Sequence, residues 1–483
     1  MSCDTHLSQS KGAETNQMED VDRELGYPLP TELPYDGSHE FTSDKNVQLD
    51  HNILGKDGAQ ATSENVYYQR PKNFFARAFN YIIPHGSILS GSFNLASITL
   101  GAGVLSLPYA FSIGGIVMAT LYLLIFTAFT VLSVVLIVEA SERTGLRSFE
   151  KLALGLFGRG GNIFAALVMW LLCFGGATGF IIAVGDIFKV LMNHDSIPDF
   201  FKSSNGRRCL QCLVWVFFML PVALPKYINS LRYVSAVGVS FVFFFVFCVT
   251  GYSIESCVRN GLPEGLMMAR TGNTAVVALA IFIFAFICQC NCLKIYYEMH
   301  HRTVARMALS AALSCCICMV MYFLIGFFGY VYIGPKIDGN IILYINPYEN
   351  YIFFICFAGM IIKLVASFAQ TMMACRTALF QVMNWDVETM PYWKHTIFAG
   401  SFATAGLILG LFVPNVSMVF GLAGALCGGF IGFVLPALFV MYAGGWSLKS
   451  EGLFMYIATY ILLLFGVVGI VFGTTCTIYG MVQ

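Results

Sequence analysis

Eleven stretches of this chain are each long and apolar enough to cross a lipid bilayer, and that repetition decides most of what the sequence can fold into. A spanning helix needs about 20 mainly apolar residues, because each adds about 1.5 Å toward about 30 Å of hydrocarbon. The stretches lie near residues 87–111, 114–138, 163–190, 209–225, 233–254, 274–293, 307–333, 351–375, 396–414, 416–441 and 453–480. Charged residues make up 11% of the 483, against about 25% in an ordinary soluble domain. A water-soluble globule with 57% hydrophobic residues would leave a greasy surface in water. An all-α membrane protein is the class that fits.

The formal charge is zero but unevenly placed: residues 1–69 hold 13 acids and four bases. With Pro28, Pro30, Pro34 and many polar residues, this stretch has no sustained apolar periodicity and cannot offset its own ordering entropy. Residues 1–70 therefore read as a disordered, acidic cytoplasmic tail, 71–85 as a juxtamembrane segment and 86–483 as the membrane domain. The tail lacks the basic and apolar regions of a cleaved signal, and Ser2 stands where myristoylation needs glycine. With the amino end inside, short inner loops carry 15 Lys and Arg, including Arg143, Arg147 and Lys151, against seven outside. That bias supports the orientation, and an odd number of spans then puts the carboxyl end outside. The plasma membrane is the expected location, with a lysosomal or vacuolar membrane as the alternative.

Two of the spans are interrupted. The first reads Ser97-Ile98-Thr99-Leu100-Gly101-Ala102-Gly103-Val104-Leu105-Ser106-Leu107-Pro108, with glycines and a proline in mid-membrane. Proline removes a backbone donor and glycine lets another group approach the backbone. Non-helical backbone at this depth is tolerated only against protein or a wet cavity, so the segment lines a site or packs closely against a neighbour. The sixth span reads Phe284-Ala285-Phe286-Ile287-Cys288-Gln289-Cys290-Asn291-Cys292, where two amides break an apolar run. If five helices form one repeat, the first and sixth spans are equivalent and oppositely oriented, and paired interruptions point to a solute site at the midplane. Amide donors and carbonyls freed at such breaks suit a carboxylate and an ammonium, so a zwitterion is the expected cargo.

Only two ionisable side chains sit well within the spans. Lys363 lies twelve residues into the eighth, near the midplane. A lysine there costs about 2.5–3.5 kcal/mol on insertion scales and is a functional candidate. Its ammonium either holds the eighth span against carbonyls of the first or snorkels into a wet cavity with no coupling role. Asp186, near the outer end of the third span, either pairs with Lys189, caps a neighbouring helix or meets a cationic substrate. Most of the 16 cysteines lie singly in apolar runs. Cys209 and Cys212 fall on the same outer side as Cys257, which allows a disulfide from Cys257 to either. No histidine lies in a span centre and no carboxylate pair meets in the membrane, so hydrolytic, metal and haem chemistry lack their parts, and no basic patch suits nucleic acid. The sequon at Asn415 sits in a short outer turn and is expected to stay unused.

The runs SITLGAGVLSLPYAF (97–111), FAFICQCNCLKIYYEM (284–299), TGFIIAVGDIF (178–188) and LPKYINSLRYVSAVGV (224–239) resemble, in order, motifs of the amino acid/auxin permease family, within the amino acid–polyamine–organocation superfamily. The acidic tail and the Gly-Ala-Gly wording are most similar to permeases of trypanosomatid parasites. The resemblance implies eleven transmembrane helices in a 5+5 inverted-repeat, leucine-transporter-type fold with broken helices 1 and 6 plus helix 11. It implies an amino acid gripped by those breaks, with no cofactor and with H+ or Na+ as the candidate coupling ion. Gln289 stands where many relatives carry histidine, which argues against a titrating role there. On this reading Thr99, Leu100, Gly101, Ala102 and Gly103 bind substrate through the backbone. Phe284, Phe286 and Gln289 shape and gate the pocket, and Lys363 and Asp186 compensate charge or couple. A secondary carrier of amino acids working by alternating access is the expected function, with arginine or lysine favoured as cargo. The alternatives are a neutral amino acid permease coupled to protons or sodium, a membrane amino-acid sensor signalling through the tail, and a channel; an enzyme is the poorest fit.

Overall fold

The computed structural model describes residues 84–482, apart from 85, 102, 226–230, 384, 386–389 and 414. The tail expected over 1–70, and all but Pro84 of the segment expected over 71–85, lie outside the described residues. Among those described, every regular element is helical. Ten helices are long and apolar enough to cross a membrane, and a bent pair at the start makes the eleventh span.

That first span consists of α1 (Ile88–Thr99) and α2 (Gly103–Gly114), inclined by 65° to each other. Ser87 starts α1, its hydroxyl accepting from Ser90 N at 3.1 Å. There follow α3 (Ile116–Thr144) and α4 (Phe149–Leu191). The third span was expected to start near 163; a helix capped by Ser148 begins at Phe149, and Gly158, at φ 69°, breaks it before the chain resumes as helix to Leu191. Next come α5 (Ser204–Ala223) and α6 (Leu231–Asn260). The sixth span is again two helices, α7 (Asn273–Ala285) and α8 (Gln289–Tyr297). The series closes with α9 (Val304–Ile333), α10 (Ile352–Val382), α11 (Tyr392–Phe412), α12 (Val416–Tyr442) and α13 (Leu448–Val482).

The packing is unchanged when five is added to each span's place in the series. Both halves of the first span, α1 and α2, lie on α9 of the seventh; both halves of the sixth, α7 and α8, lie on α3 of the second. Likewise the fifth span packs on the eighth, and the tenth on the third. The inner faces of α2 and α7 pack together, as do α4 and α10. This is the inverted-repeat scaffold, and it sets the two interruptions opposite one another.

One close approach shows how the turns are held. Gly115, between α2 and α3, has φ 81°, and a Cβ there would lie 2.7 Å from Ala269 Cα. The chain before α7 runs against this turn, with Ile116 N donating to Met267 O, Val117 N to Met268 O and Arg270 N to Gly114 O. The first two occupy donors at the start of α3 that the helix itself leaves unpaired. Gly115→Ala is expected to cost about 1–3 kcal/mol through strain and collision. Gly160→Ala, at a position with open space around it, is the control. Thermal unfolding in detergent checks this; equal midpoints for the two variants would contradict it.

Candidate functional site

Where α1 ends and α2 begins, and where α7 ends and α8 begins, the helix geometry leaves carbonyls on one side of each gap and N–H groups on the other. Most of the carbonyls find partners inside the protein. Ala96 O accepts from Leu100 N at 2.8 Å, Ser97 O from Lys363 Nζ at 2.8 Å, and Thr99 O from Gly101 N at 2.7 Å. On α7, Phe282 O accepts from Phe286 N at 3.2 Å and Phe284 O from Ile287 N at 3.3 Å. The hydroxyl of Tyr322, from α9, lies 2.6 Å from Thr99 O and 2.7 Å from Ala285 O, so one proton serves both gaps.

Gly103 is where the two broken spans touch. A Cβ at this position would lie 3.2 Å from both Cα and Cβ of Ala285, so any side chain pushes α2 away from α7. Beside this contact lies a cavity of about 540 Å³. Its walls come from α1, the start of α2, α4, α6, both halves of the sixth span and α10. Thr99, Gly101, Gly103 and Phe284 line it, joined by Asn94, Ser97, Asn291, Gln370 and Thr371.

The cavity runs toward the side that holds the amino end of α1 and the carboxyl end of α8. Lys294 and Glu298 line it there and are exposed, which marks its mouth. Toward the opposite side, Val104, Leu105, Leu107, Ala110 and Phe111 of α2 are wholly buried. Phe284 stacks on Phe420 of α12 at 4.3 Å and 11°, and Gly179 of α4 leaves room for that Phe420 ring. Phe180 also lines the cavity. These aromatic groups close the far end. α12 widens into π-helical turns at Ala423–Gly428 and Phe430–Val434, and Gly424 there lets α7 lie against it at Ala280 O.

Several expected site residues sit elsewhere. Leu100 is fully buried in the core and does not reach the cavity. Ala102 lies outside the described residues. Phe286 follows Phe284 by two positions, about 200° around a helix, so both cannot face one space. It stacks on Phe126 at 6.3 Å and meets Tyr322 edge-on. Gln289 is buried and folds back on its own helix start, where its Oε1 accepts from Cys288 N at 3.0 Å. The break falls at Phe286–Cys288, just before the amides, and this is why Gln289 serves as a cap instead of pocket wall.

Lys363 is buried beside the cavity and not in its wall. Asp186 neither lines the cavity nor pairs with Lys189 among the described ion pairs; its Oδ2 accepts from Asn340 Nδ2 at 2.9 Å. Cys209, Cys212 and Cys257 are free thiols: α5, which carries the first two, packs along α4, whereas α6, which carries Cys257, packs along α10. Asn415, in the sequon, caps α12 through Ser417 N at 2.9 Å. Among residues that the sequence reading passed over, Glu298 and Lys294 follow the last apolar residues of the sixth span, and Tyr322 is a single polar tip in an otherwise apolar run.

A family model described as transmembrane amino acid transporter protein matches residues 84–479. The chain belongs to that family. Among individual relatives, solute carrier family 38 member 10 from Homo sapiens is 24% identical over 359 residues, covering 71% of this chain and 31% of the relative. The Mus musculus protein of the same name is 25% identical over 368 residues, covering 71% and 32%. A Xenopus laevis protein named putative sodium-coupled neutral amino acid transporter 10 is 25% identical over 361 residues, covering 71% and 34%. The chain thus spans about a third of the length of the curated relatives it matches.

The contact at Gly103 generates a test. Overpacking costs about 1–3 kcal/mol and tenfold in affinity is about 1.4 kcal/mol, so Gly103→Val is expected to weaken binding of a small solute in this cavity about tenfold or more. Gly251→Val, in α6 with nothing within 4 Å of its added Cβ, is expected to bind normally. Scintillation proximity binding to purified protein measures both, and unchanged affinity at Gly103→Val would contradict the site.

Proposed function

We propose that the chain is a secondary carrier that moves amino acids across its membrane by alternating access. The observation that carries this reading is the cavity of about 540 Å³ held between the two helix breaks. Its size falls within the range of about 300–1,000 Å³ common for small-molecule sites. The substrate carboxylate accepts from N–H groups at the starts of α2 and α8, which the helix dipoles make favourable to an anion. The ammonium faces the carbonyl ends of α1 and α7. Gly101 and Gly103 leave the backbone accessible, and Phe284 forms the ceiling that must part for release to the other side.

Within that reading the favoured cargo is a cationic amino acid, arginine or lysine. The rings of Phe284 and Phe180 offer cation–π faces along the cavity, and Glu298 is its lining carboxylate among the described residues, placed at the mouth. Energetics favour the same choice. One positive charge crossing 100 mV gains about 2.3 kcal/mol, or about 50-fold accumulation without any coupled ion. A second reading, carriage of a neutral amino acid coupled to protons or sodium, draws its support from the name of the Xenopus laevis relative. The plasma membrane, with the amino end inside, is the proposed setting.

Uptake in a transport-deficient host, with each unlabelled amino acid competing in turn, tests the proposal. Labelled arginine or lysine is expected to accumulate above its external concentration, and these two to compete best. Glu298→Gln is expected to lower cationic uptake several-fold while sparing any neutral uptake. Equilibration without accumulation would indicate a channel, and binding without uptake a sensor.

A further inference from the structure

The pairing expected from sequence, Cys257 with Cys209 or Cys212, is not formed, but the fold brings other thiols together. Cys173 of α4 and Cys290 of α8 share a hydrogen bond between their side chains. Both line the cavity, as does Cys288 in the break before α8. Cys290 is half-buried and Cys173 is 6% exposed, so the pair lies in the cavity wall at the edge of its open space. Cys288 is engaged differently, its side chain meeting that of Thr99. Cys248 of α6 and Cys356 of α10 also meet thiol to thiol, yet neither lines the cavity and Cys356 is fully buried. A cysteine in a membrane helix ordinarily serves as a small apolar side chain. The Cys173–Cys290 pair differs in having two sulfurs side by side and a way in from the mouth at Lys294 and Glu298.

Two such sulfurs are ready-made ligands for a soft metal ion. Thiolates favour soft metals over hard ones, and a thiol that coordinates gives up its proton outright. With a divalent ion, two S–H bonds break, two metal–sulfur bonds form and two protons leave to the water of the cavity, with no change of oxidation state. The product is neutral, two thiolate charges against two positive ones, and a wall poor in water tolerates a neutral group far better than a charged one. Among the described residues no third ligand stands with the pair, so cavity water completes the shell.

The placement of the two sulfurs gives the site a consequence. α4 packs along α10, whereas α8 packs on α3, so each ligand comes from a different group of packed helices. α8 also follows the break at Phe286–Cys288, a joint about which it can turn. A metal held by both sulfurs fixes α8 on α4. We propose that Cys173 and Cys290 form a binding site for a soft divalent metal ion, and that an ion bound there holds the cavity in one arrangement and arrests transport. The arrest rests on the carrier reading above; the binding rests on the cavity wall alone.

Cadmium is the probe and magnesium the control, on full-length protein in liposomes. Uptake of labelled arginine or lysine is expected to stop with saturating cadmium, to be unaffected by magnesium, and to recover when a chelator removes the metal. Loss of a partner outside the ligand shell already costs about 10–100-fold in metal affinity, so Cys173→Ser and Cys290→Ser are each expected to raise the half-inhibitory cadmium concentration at least about tenfold, each against its own metal-free rate. Cys356→Ser is expected to leave that concentration unchanged. Unaltered sensitivity in either cavity variant would overturn the proposal. Cadmium binding to purified protein, read from its ultraviolet thiolate-to-metal band, is independent of transport. The band is expected to shrink in Cys173→Ser and in Cys290→Ser but not in Cys356→Ser, and an equal band in all of them would remove the site. A normal band with uninhibited uptake would contradict the arrest. Absence of uptake even without metal, with the band behaving as expected, would bring down the carrier reading and support the site, so the two failures are distinguishable.

Discussion

In hydrocarbon every backbone donor and acceptor needs a partner, and each unsatisfied one costs several kcal/mol. The rest of this structure is arranged around that constraint at two places, the ends of α1 and α7. The hydroxyl of Tyr322 ties Thr99 O to Ala285 O, and the ammonium of Lys363 takes Ser97 O. With most carbonyls engaged in this way, the gaps keep a defined shape. Gly101, Gly103 and Asn291 then face a cavity wide enough for a small solute. The same bonds that make the breaks tolerable thus shape the space between them.

Much of this was legible in the sequence because the governing distances are fixed by the bilayer. Hydrocarbon thickness sets the length of a span, so the eleven apolar runs correspond to the eleven observed spans, with ends shifted by local capping such as that at Ser148 and the turn at Gly158. Gly101 and Gly103 marked the first break directly. The amides of the sixth span marked the second only approximately, since the break falls at Phe286–Cys288 and Gln289 turns back to cap α8. The direction of a side chain depends on packing between distant segments. Phe284 and Phe286 look alike in sequence, yet only Phe284 faces the cavity, because the rotation of α7 is set by its packing on α2 and α12.

Lys363 stood out by its cost at mid-membrane, whereas Tyr322 did not, since tyrosine is ordinary in a membrane helix and its role depends on two carbonyls from distant segments. Glu298 was hidden for a different reason. It follows the apolar part of its span, and only the course of α8 along the cavity mouth brings it to the site. Asp186 looked available for a cationic cargo, but a partner from a distant loop, Asn340, claims it.

The open side of the cavity is bordered by pieces that are joined to one another. His300 N donates to Gly86 O at 2.9 Å, linking the turn after α8 to the start of α1, and Ser310 Oγ of α9 donates to Ile88 O at 3.1 Å. These bonds tie the start of α1 to both the turn after α8 and to α9, so the pieces that border the mouth form one connected unit. At the centre of this account is the claim that a zwitterion rests between the two gaps. A structure determined by cryo-electron microscopy with arginine or lysine present tests it most directly. Ligand density touching Gly101, Gly103 and the start of α8 is the expected result; continuous helix through both gaps, or ligand held elsewhere, would contradict it.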